Sequence, residues 1–329
     1  MKDFTREIEP ILNLNSDRSH AWDDRTRGRA PHKPFLLLSI LDGIDQGWIT
    51  DNRIELSREL IDTFFLYWNA TMGTDKVTTI ALPFFHMKSE PFWELKYREG
   101  EKEYTYSPSL GSLQSRVEYA ILKPDLYRLM DMMWERNALR QLLAGHYFDD
   151  DTAGHVLKVA SLNFEARQYA VLTANMAADP FIADHSKNVE RKRKVQFKQV
   201  RETGFSITVR KNYENACAFC RSRVETPGGQ TLVEGAHIIP WSESNNDDPR
   251  NGLSLCRSHH WMFDNMMITV RDDYTIRISS WLEKNRNRVE ETLKLKNCKI
   301  LLPVQEMFFP HRVALLHHNE RFEVFHKKN

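Results

Sequence analysis

Four zinc-type donors arranged as two short pairs constrain this 329-residue chain more than any other feature. They are Cys217-Ala-Phe-Cys220 and, well downstream, Cys256-Arg-Ser-His259. Two short-loop pairs of sulfur and nitrogen donors on separate segments are what a closed tetrahedral Zn²⁺ site needs. Cys217, Cys220, Cys256 and His259 are therefore the expected structural zinc ligands. Cys298 reads as a buried free thiol, with replacement of His259 at zinc as the alternative. The interval between the pairs is longer than in a small zinc finger. It leaves room for a strand and a loop with chemistry of their own.

The apolar run Leu232 to Ile239 reads as a strand ended by Pro240. A polar, turn-rich loop from Trp241 to Arg250 follows, and Asn251-Gly252 opens a second apolar piece ending at Cys256. Arg257 to Asp264 reads as one helix, with Trp261 and Phe263 as core packing. Adjacent helical residues project about 100° apart. His259 can thus face zinc while His260 turns toward His237 and Asn251, so the paired histidines suit two different metals.

The order His237, Asn251, His260 on strand, strand and helix, knitted by Cys-x-x-Cys and Cys-x-x-His, resembles the HNH endonucleases, whose fold is the ββα-metal motif. The resemblance implies that His237 is the general base that activates water. It implies that Asn251 orients His237 or helps hold a catalytic Mg²⁺- or Mn²⁺-class ion, which His260 binds. Phosphodiester hydrolysis needs these parts: an activated nucleophile in line, and a cation beside the developing charge. Many members carry Asp immediately before the first histidine, whereas this chain has Ala236. Asn251 is then the leading second ligand, with Glu234 and Asp264 behind it. Hydrolysis would leave a 5′ phosphate and a 3′ hydroxyl. One such site cuts one strand, so a double-strand break needs two nicks or a homodimer.

The length fits two domains of about 150 residues. An apolar content of 41% and eight tryptophans point to packed cores. The N-terminus lacks an apolar signal core, and the longest apolar run, Phe35 to Leu41, is too short to span a bilayer. No membrane association is expected. Cysteines placed for metal, without a disulfide framework, point to a reducing, cytoplasmic setting. The net charge of +1 hides an asymmetry: residues 181–329 carry +7 and the remainder −6. A positive C-terminal part suits the phosphates of double-stranded DNA, whereas the acidic remainder argues against indiscriminate DNA binding there.

Along the first half, periodicity predicts helices over 1–14, Phe35–Gln46 and Leu56–Ala70. Extended pieces are expected at Ile80–Met87 and Pro91–Leu95, a hairpin over Trp93–Tyr106, and helices near Ser112–Ala120 and Lys123–Phe148. Asp149–Thr152 reads as a polar break and Leu162–Met176 as a connecting helix. Glu190 to Lys198 is a basic run, either a solvated helix face or a phosphate contact. A helix over Val200–Glu214, strands at Met266–Val270 and Tyr274–Ile278, and a helix over Trp281–Lys296 complete the set. His317 and His318 read as structural or exposed.

Pro31-His32-Lys33-Pro34-Phe-Leu-Leu-Leu, Leu82-Pro83-Phe84-Phe85-His86-Met87 and Phe92-Trp93, closed by Leu139 to Phe148, resemble an N-terminal module joined to HNH domains in restriction-type proteins. Its best-understood members are the sulfur-binding domains of phosphorothioate-dependent, McrA-like restriction endonucleases. There a His-Arg pair and a Tyr-Pro segment with a nearby small residue line a shallow hydrophobic cavity for the backbone sulfur. By that resemblance His32 and Lys33 contact the DNA backbone, and Leu82 and Pro83 form the apolar wall. This chain departs with Lys33 for Arg, Leu82 for Tyr and His86 for the small residue. An apolar wall suits soft sulfur, whereas His86 favours another chemical mark.

The expected architecture is α+β: a mainly helical reader domain with a small sheet at 1–148, a helical linker at 149–190 and a zinc-stabilised ββα-metal HNH domain at 191–329. The expected function is modification-dependent, type IV-like DNA restriction directed at phosphorothioate or otherwise modified DNA. Two alternatives stand beside it: a zinc-stabilised DNA-binding protein without hydrolysis, and an HNH nuclease specific for unmodified DNA.

Overall fold

The computed structural model describes residues 2–185, 198–285 and 290–328. The basic run at Glu190–Lys198 lies, but for Lys198, outside the described residues. The chain divides into two compact units, Met1–Phe164 with Glu225–Gln230, and Glu165–Val224 with Thr231–Asn329.

The first unit holds α1 (Lys2–Leu12), α2 (His32–Asp45), α3 (Arg58–Met72), α4 (Ala81–His86), β1 (Trp93–Tyr97), α5 (Leu110–Arg116), β2 (Val117–Leu122), α6 (Pro124–Asp131), α7 (Met133–Tyr147) and the start of α8 (Asp150–Asn175). Its core is built around α2, where Phe35, Leu36, Leu37, Leu38, Ile40 and Leu41 are all solvent-free. A helix apolar all round must be covered all round. Each of those side chains contributes roughly 2 kcal/mol by leaving water. Gly47, at φ +75°, turns the chain just beyond α2, a conformation that disfavours any β-carbon. Ser57 starts α3 by accepting the Leu60 N–H at 3.2 Å.

Several expected elements differ. The segment expected to be extended at Leu82–Pro83 is helical, because Pro83 falls in the first turn of α4, where its missing N–H costs nothing. No hairpin closes within Trp93–Tyr106. Instead β1 pairs antiparallel with β2, Trp93 opposite Leu122, across the intervening α5. The helix expected to run to Ala120 stops at Arg116, where Val117 begins a strand whose Val117, Ala120 and Leu122 face the core. An extended Met132 splits the expected Lys123–Phe148 helix into α6 and α7. The expected polar break at Asp149 is a helix start. The Asp149 carboxylate accepts the Thr152 N–H at 2.8 Å, and Asp150 and Asp151 complement the positive helix end.

The second unit holds the rest of α8, then α9 (Lys198–Asn212), β3 (Val233–His237), α10 (Trp241–Ser244), β4 (Gly252–Cys256), α11 (Arg257–Asp264), β5 (Ile268–Val270), β6 (Ile276–Ile278), α12 (Ser280–Lys284), α13 (Glu290–Leu293) and α14 (Arg312–Lys328). The α+β expectation holds, with a ββα arrangement in the C-terminal part. β3 and β4 pair antiparallel, with Val233 opposite Cys256 and His237 opposite Gly252, and α11 follows at once. β5 and β6 form the expected second hairpin. Among the described residues of Trp281–Lys296, two short helices replace the single one expected. α9 lies directly on the β3–β4 hairpin because Gly235 and Gly252 present no side chain there. A β-carbon at Gly252 would meet Val209 at 2.5 Å, and one at Gly235 would meet the Ser206 backbone at 2.8 Å. Phe263 is core as expected, but Trp261 is largely exposed. Among the described residues, no helix is long and apolar enough to cross a membrane.

Candidate active site and zinc centre

The donor atoms of Cys217, Cys220, Cys256 and His259 all lie within 4.8 Å of one another. Local structure brings them together. The Ala218 N–H donates to the Ser254 carbonyl at 2.7 Å, fastening the Cys217–Cys220 turn to β4. Cys256 ends β4 and caps α11, so His259 turns back toward it from the first helical turn. His259 Nδ1 stands 3.1 Å from Cys256 Sγ and 3.5 Å from Cys217 Sγ. A tetrahedron with Zn–S near 2.3 Å and Zn–N near 2.0 Å has S–N edges of about 3.5 Å, so the set fits Zn²⁺. Cys220 and Cys256 push the Cys217 thiol far up, since thiols this close cannot all ionise without a cation. Cys298 stays outside the cluster and is exposed, contrary to the expected buried thiol.

On the other side of α11, an open cavity of about 980 Å³ is lined by His237, His260, Glu234, Asp264, Arg201 and Arg210, among others. His237 ends β3, and its ring stacks on Phe205 from α9 at 3.7 Å between centroids and 7° between planes. Its Nε2 lies 2.8 Å from Asp247 Oδ1. Asp247 is only 1% exposed and also accepts from Tyr169 Oη at 2.6 Å, Trp241 Nε1 at 3.1 Å and Arg201 Nη1 at 3.1 Å. Burial pushes its carboxyl up, but the hydrogen bonds from His237 and Tyr169 and the Arg201 charge outweigh this. The pKa stays below the usual carboxylate range. Asp247 is not among the site residues expected from sequence, since it sits in a loop that reads only as polar and turn-rich. Its one signal is the acidic pair Asp247-Asp248 just ahead of Asn251.

His260 Nδ1 faces Glu234 Oε2 at 3.3 Å, and its Nε2 faces Asp264 Oδ2 at 3.5 Å. Strand alternation places Glu234 on the same face of β3 as Ala236, so the acid absent at 236 has a counterpart two residues earlier. Burial raises the Asp264 carboxyl above its usual range against the pull of His260. The two carboxylates face different ring nitrogens, so an ion on one nitrogen of His260 would be joined by Glu234 or by Asp264. A nitrogen with a carboxylate suits Mg²⁺ or Mn²⁺ by donor type, while among the described residues the cysteine–histidine cluster is the set whose donors close on one point.

Asn251 corrects an expectation. Its side chain is fully buried, with Oδ1 accepting the Ile239 N–H at 2.8 Å and Nδ2 donating to the Ile239 and Asn246 carbonyls at 3.0 and 3.1 Å. It clamps the chain on both sides of the Trp241–Arg250 loop and does not reach the cavity as a metal ligand. His318, expected to be structural or exposed, is buried. It stacks on Phe263 at 3.7 Å, and its Nδ1 lies 2.8 Å from Thr269 Oγ1.

In the first unit, His32, Lys33, Leu82, Pro83 and His86 line one cavity of about 430 Å³ together with Trp22. His32 lies against Trp22 and Trp68, with Nε2 3.0 Å from Thr78 Oγ1, and burial lowers its pKa to about 4. Lys33 departs from the expected backbone contact. Its buried ammonium is ion-paired with Glu90 and donates to Ser89 Oγ at 3.0 Å, so its charge is matched within the fold. Leu82 and Pro83, on the first turn of α4, supply the apolar wall.

Residues 217–271 match the family model described as HNH endonuclease. Comparison with curated proteins gave no match. A solved structure of the modification-dependent TagI restriction endonuclease is similar at 18% identity and a TM-score of 0.29, too slight a likeness to bear on function. The similarity covers 43% of this chain and 50% of that one. The segment from Cys217 to Arg271, holding the zinc ligands, β3, β4 and α11, is an HNH endonuclease domain.

Proposed function

We propose that this chain is a DNA restriction endonuclease that cuts through the second-unit cavity and reads modified DNA through the first-unit cavity. The convergence of His237, His260, Glu234 and Asp264 on one open cavity, above a cysteine and histidine cluster fit for zinc, carries the reading. With Nε2 against Asp247, His237 keeps Nδ1 to accept the proton of a water attacking phosphorus. The P–O3′ bond breaks and the leaving oxygen takes a proton from solvent water, giving a 5′ phosphate and a 3′ hydroxyl. His260, with either Glu234 or Asp264, would hold a divalent ion, which would stabilise charge on the phosphate and leaving oxygen when bound. Arg210 lines the same cavity and adds positive charge there, whereas the buried Arg201 is ion-paired with Asp247.

His237→Ala tests the reading: cleavage should fall by 10²-fold or more, on the order expected for loss of a general base, while zinc content persists. Unchanged cutting would sink the catalytic assignment. Matched duplexes with and without phosphorothioate or modified bases test the reader. The first-unit cavity, with Leu82 and Pro83 in its wall and the Lys33 charge already matched by Glu90, supports preference for a modified strand, and equal binding to all duplexes would favour a nuclease for unmodified DNA.

A further inference from the structure

We infer that Asp247 is a positioning residue for the nuclease reaction, fixing the tautomer and the plane of the His237 ring. This rests on the proposed role of His237 as base and adds to it what makes that imidazole competent.

A free neutral imidazole carries its proton on either nitrogen, and the wrong tautomer presents an N–H where a base needs a lone pair. Asp247 Oδ1, 2.8 Å from Nε2, is an anionic acceptor, so the proton resides on Nε2 and the Nδ1 lone pair is left open. Three donors hold that carboxylate in place. Tyr169 Oη and Trp241 Nε1 share Oδ2, and Arg201 Nη1 lies 3.1 Å from Oδ1. Arg201 is itself fixed, its guanidinium 4.0 Å over the Trp241 ring. From the other side Phe205 lies flat on the imidazole, 3.7 Å between centroids, so the ring cannot swing out of its plane. A carboxylate 1% exposed, with four hydrogen-bond partners from α8, α9, the end of β3 and α10, is more elaborate than loop closure requires. The same loop already has the Asn251 clamp for that purpose.

The test pairs Asp247→Asn with His237→Ala in the zinc-loaded full chain, reading kcat and KM on duplex DNA. Asparagine is nearly isosteric but can donate to Nε2 and so favour the wrong tautomer. Asp247→Asn should lower kcat by roughly 10³-fold with KM little changed, within the range for loss of base function and of tautomer control. Asp247→Glu should recover part of that loss. Full kcat in folded, zinc-loaded Asp247→Asn overturns the inference, as does a rise in KM with kcat intact. If His237→Ala also retains activity, the nuclease reading itself has failed, and the two failures are distinguishable. Should Asp247→Asn not fold, ¹⁵N NMR of the unmodified chain's His237 ring decides: Nε2–H is expected, and Nδ1–H refutes the proposal.

Discussion

Asn251→Ala separates a loop clamp from a metal ligand. The substitution strands three buried backbone groups at once: the Ile239 N–H and the carbonyls of Ile239 and Asn246. The side chain has no solvent exposure, so the space it leaves is closed to bulk water. An unsatisfied buried donor costs ~2 kcal/mol and each carbonyl ~1 kcal/mol, giving ~4 kcal/mol against a domain stability of about 5–15 kcal/mol. With a urea slope of about 2.5 kcal/mol/M, the unfolding midpoint should fall by roughly 1.5 M. Zinc release into a chromogenic chelator during the urea titration reports the second unit directly. A midpoint within ~0.3 M of the parent, with cutting abolished, would show Asn251 acting at the catalytic ion and refute the clamp.

His32 makes the first unit acid-sensitive. Its imidazole takes a proton near pH 6.5 when unfolded but only at about 4 when folded. Below pH 6.5 the unfolded chain therefore binds more protons, and stability drops until the loss levels off near pH 4. The drop is on the order of 3 kcal/mol, and thermal scans against His32→Gln should show a slope that the variant lacks. Cys256→Ser, or chelation at neutral pH, should unfold β4 and α11 together, so amide exchange there should rise while α2 stays protected. Unchanged protection of β4 after zinc loss would contradict this. Gly252→Ala would drive a β-carbon to 2.5 Å from Val209 and 3.0 Å from Phe205. It should cost about 1–3 kcal/mol and lower cutting by displacing the His237 stack, with zinc retained. A crystal structure with α9 unmoved would refute that account.

The four clustered zinc-type donors and the opposite facing of His259 and His260 were legible because local covalent geometry sets their relations, whereas His237 was singled out by the order of the His-Asn-His resemblance. A Cys-x-x-Cys turn and successive helical residues leave little freedom. Asp247 was illegible because its role depends on Tyr169, Arg201 and Trp241, brought to it from three separate helices. The His-Asn-His order found Asn251, yet only the fold shows its amide spent on the backbone. The β1–β2 pairing was missed for the same reason: a local turn between Trp93 and Tyr106 was assumed where the partner strand comes after a helix. Lys33 looked like a free cation beside His32, and Glu90 that neutralises it lies 57 residues on.

His259 and His260 are neighbours in the chain, yet one serves the sulfur cluster and the other the open cavity. The sulfur cluster thus acts as an index pin for α11, setting its rotation by fastening His259 to Cys256. Deleting one residue between those two would rotate the helix by about 100° and bring His260 to the cluster side, and inserting one would carry His259 to the cavity side, so either change breaks one of the two sites. This stretch can therefore drift by substitution but not by changing length, and a graft of the cutting machinery must carry the cluster with it.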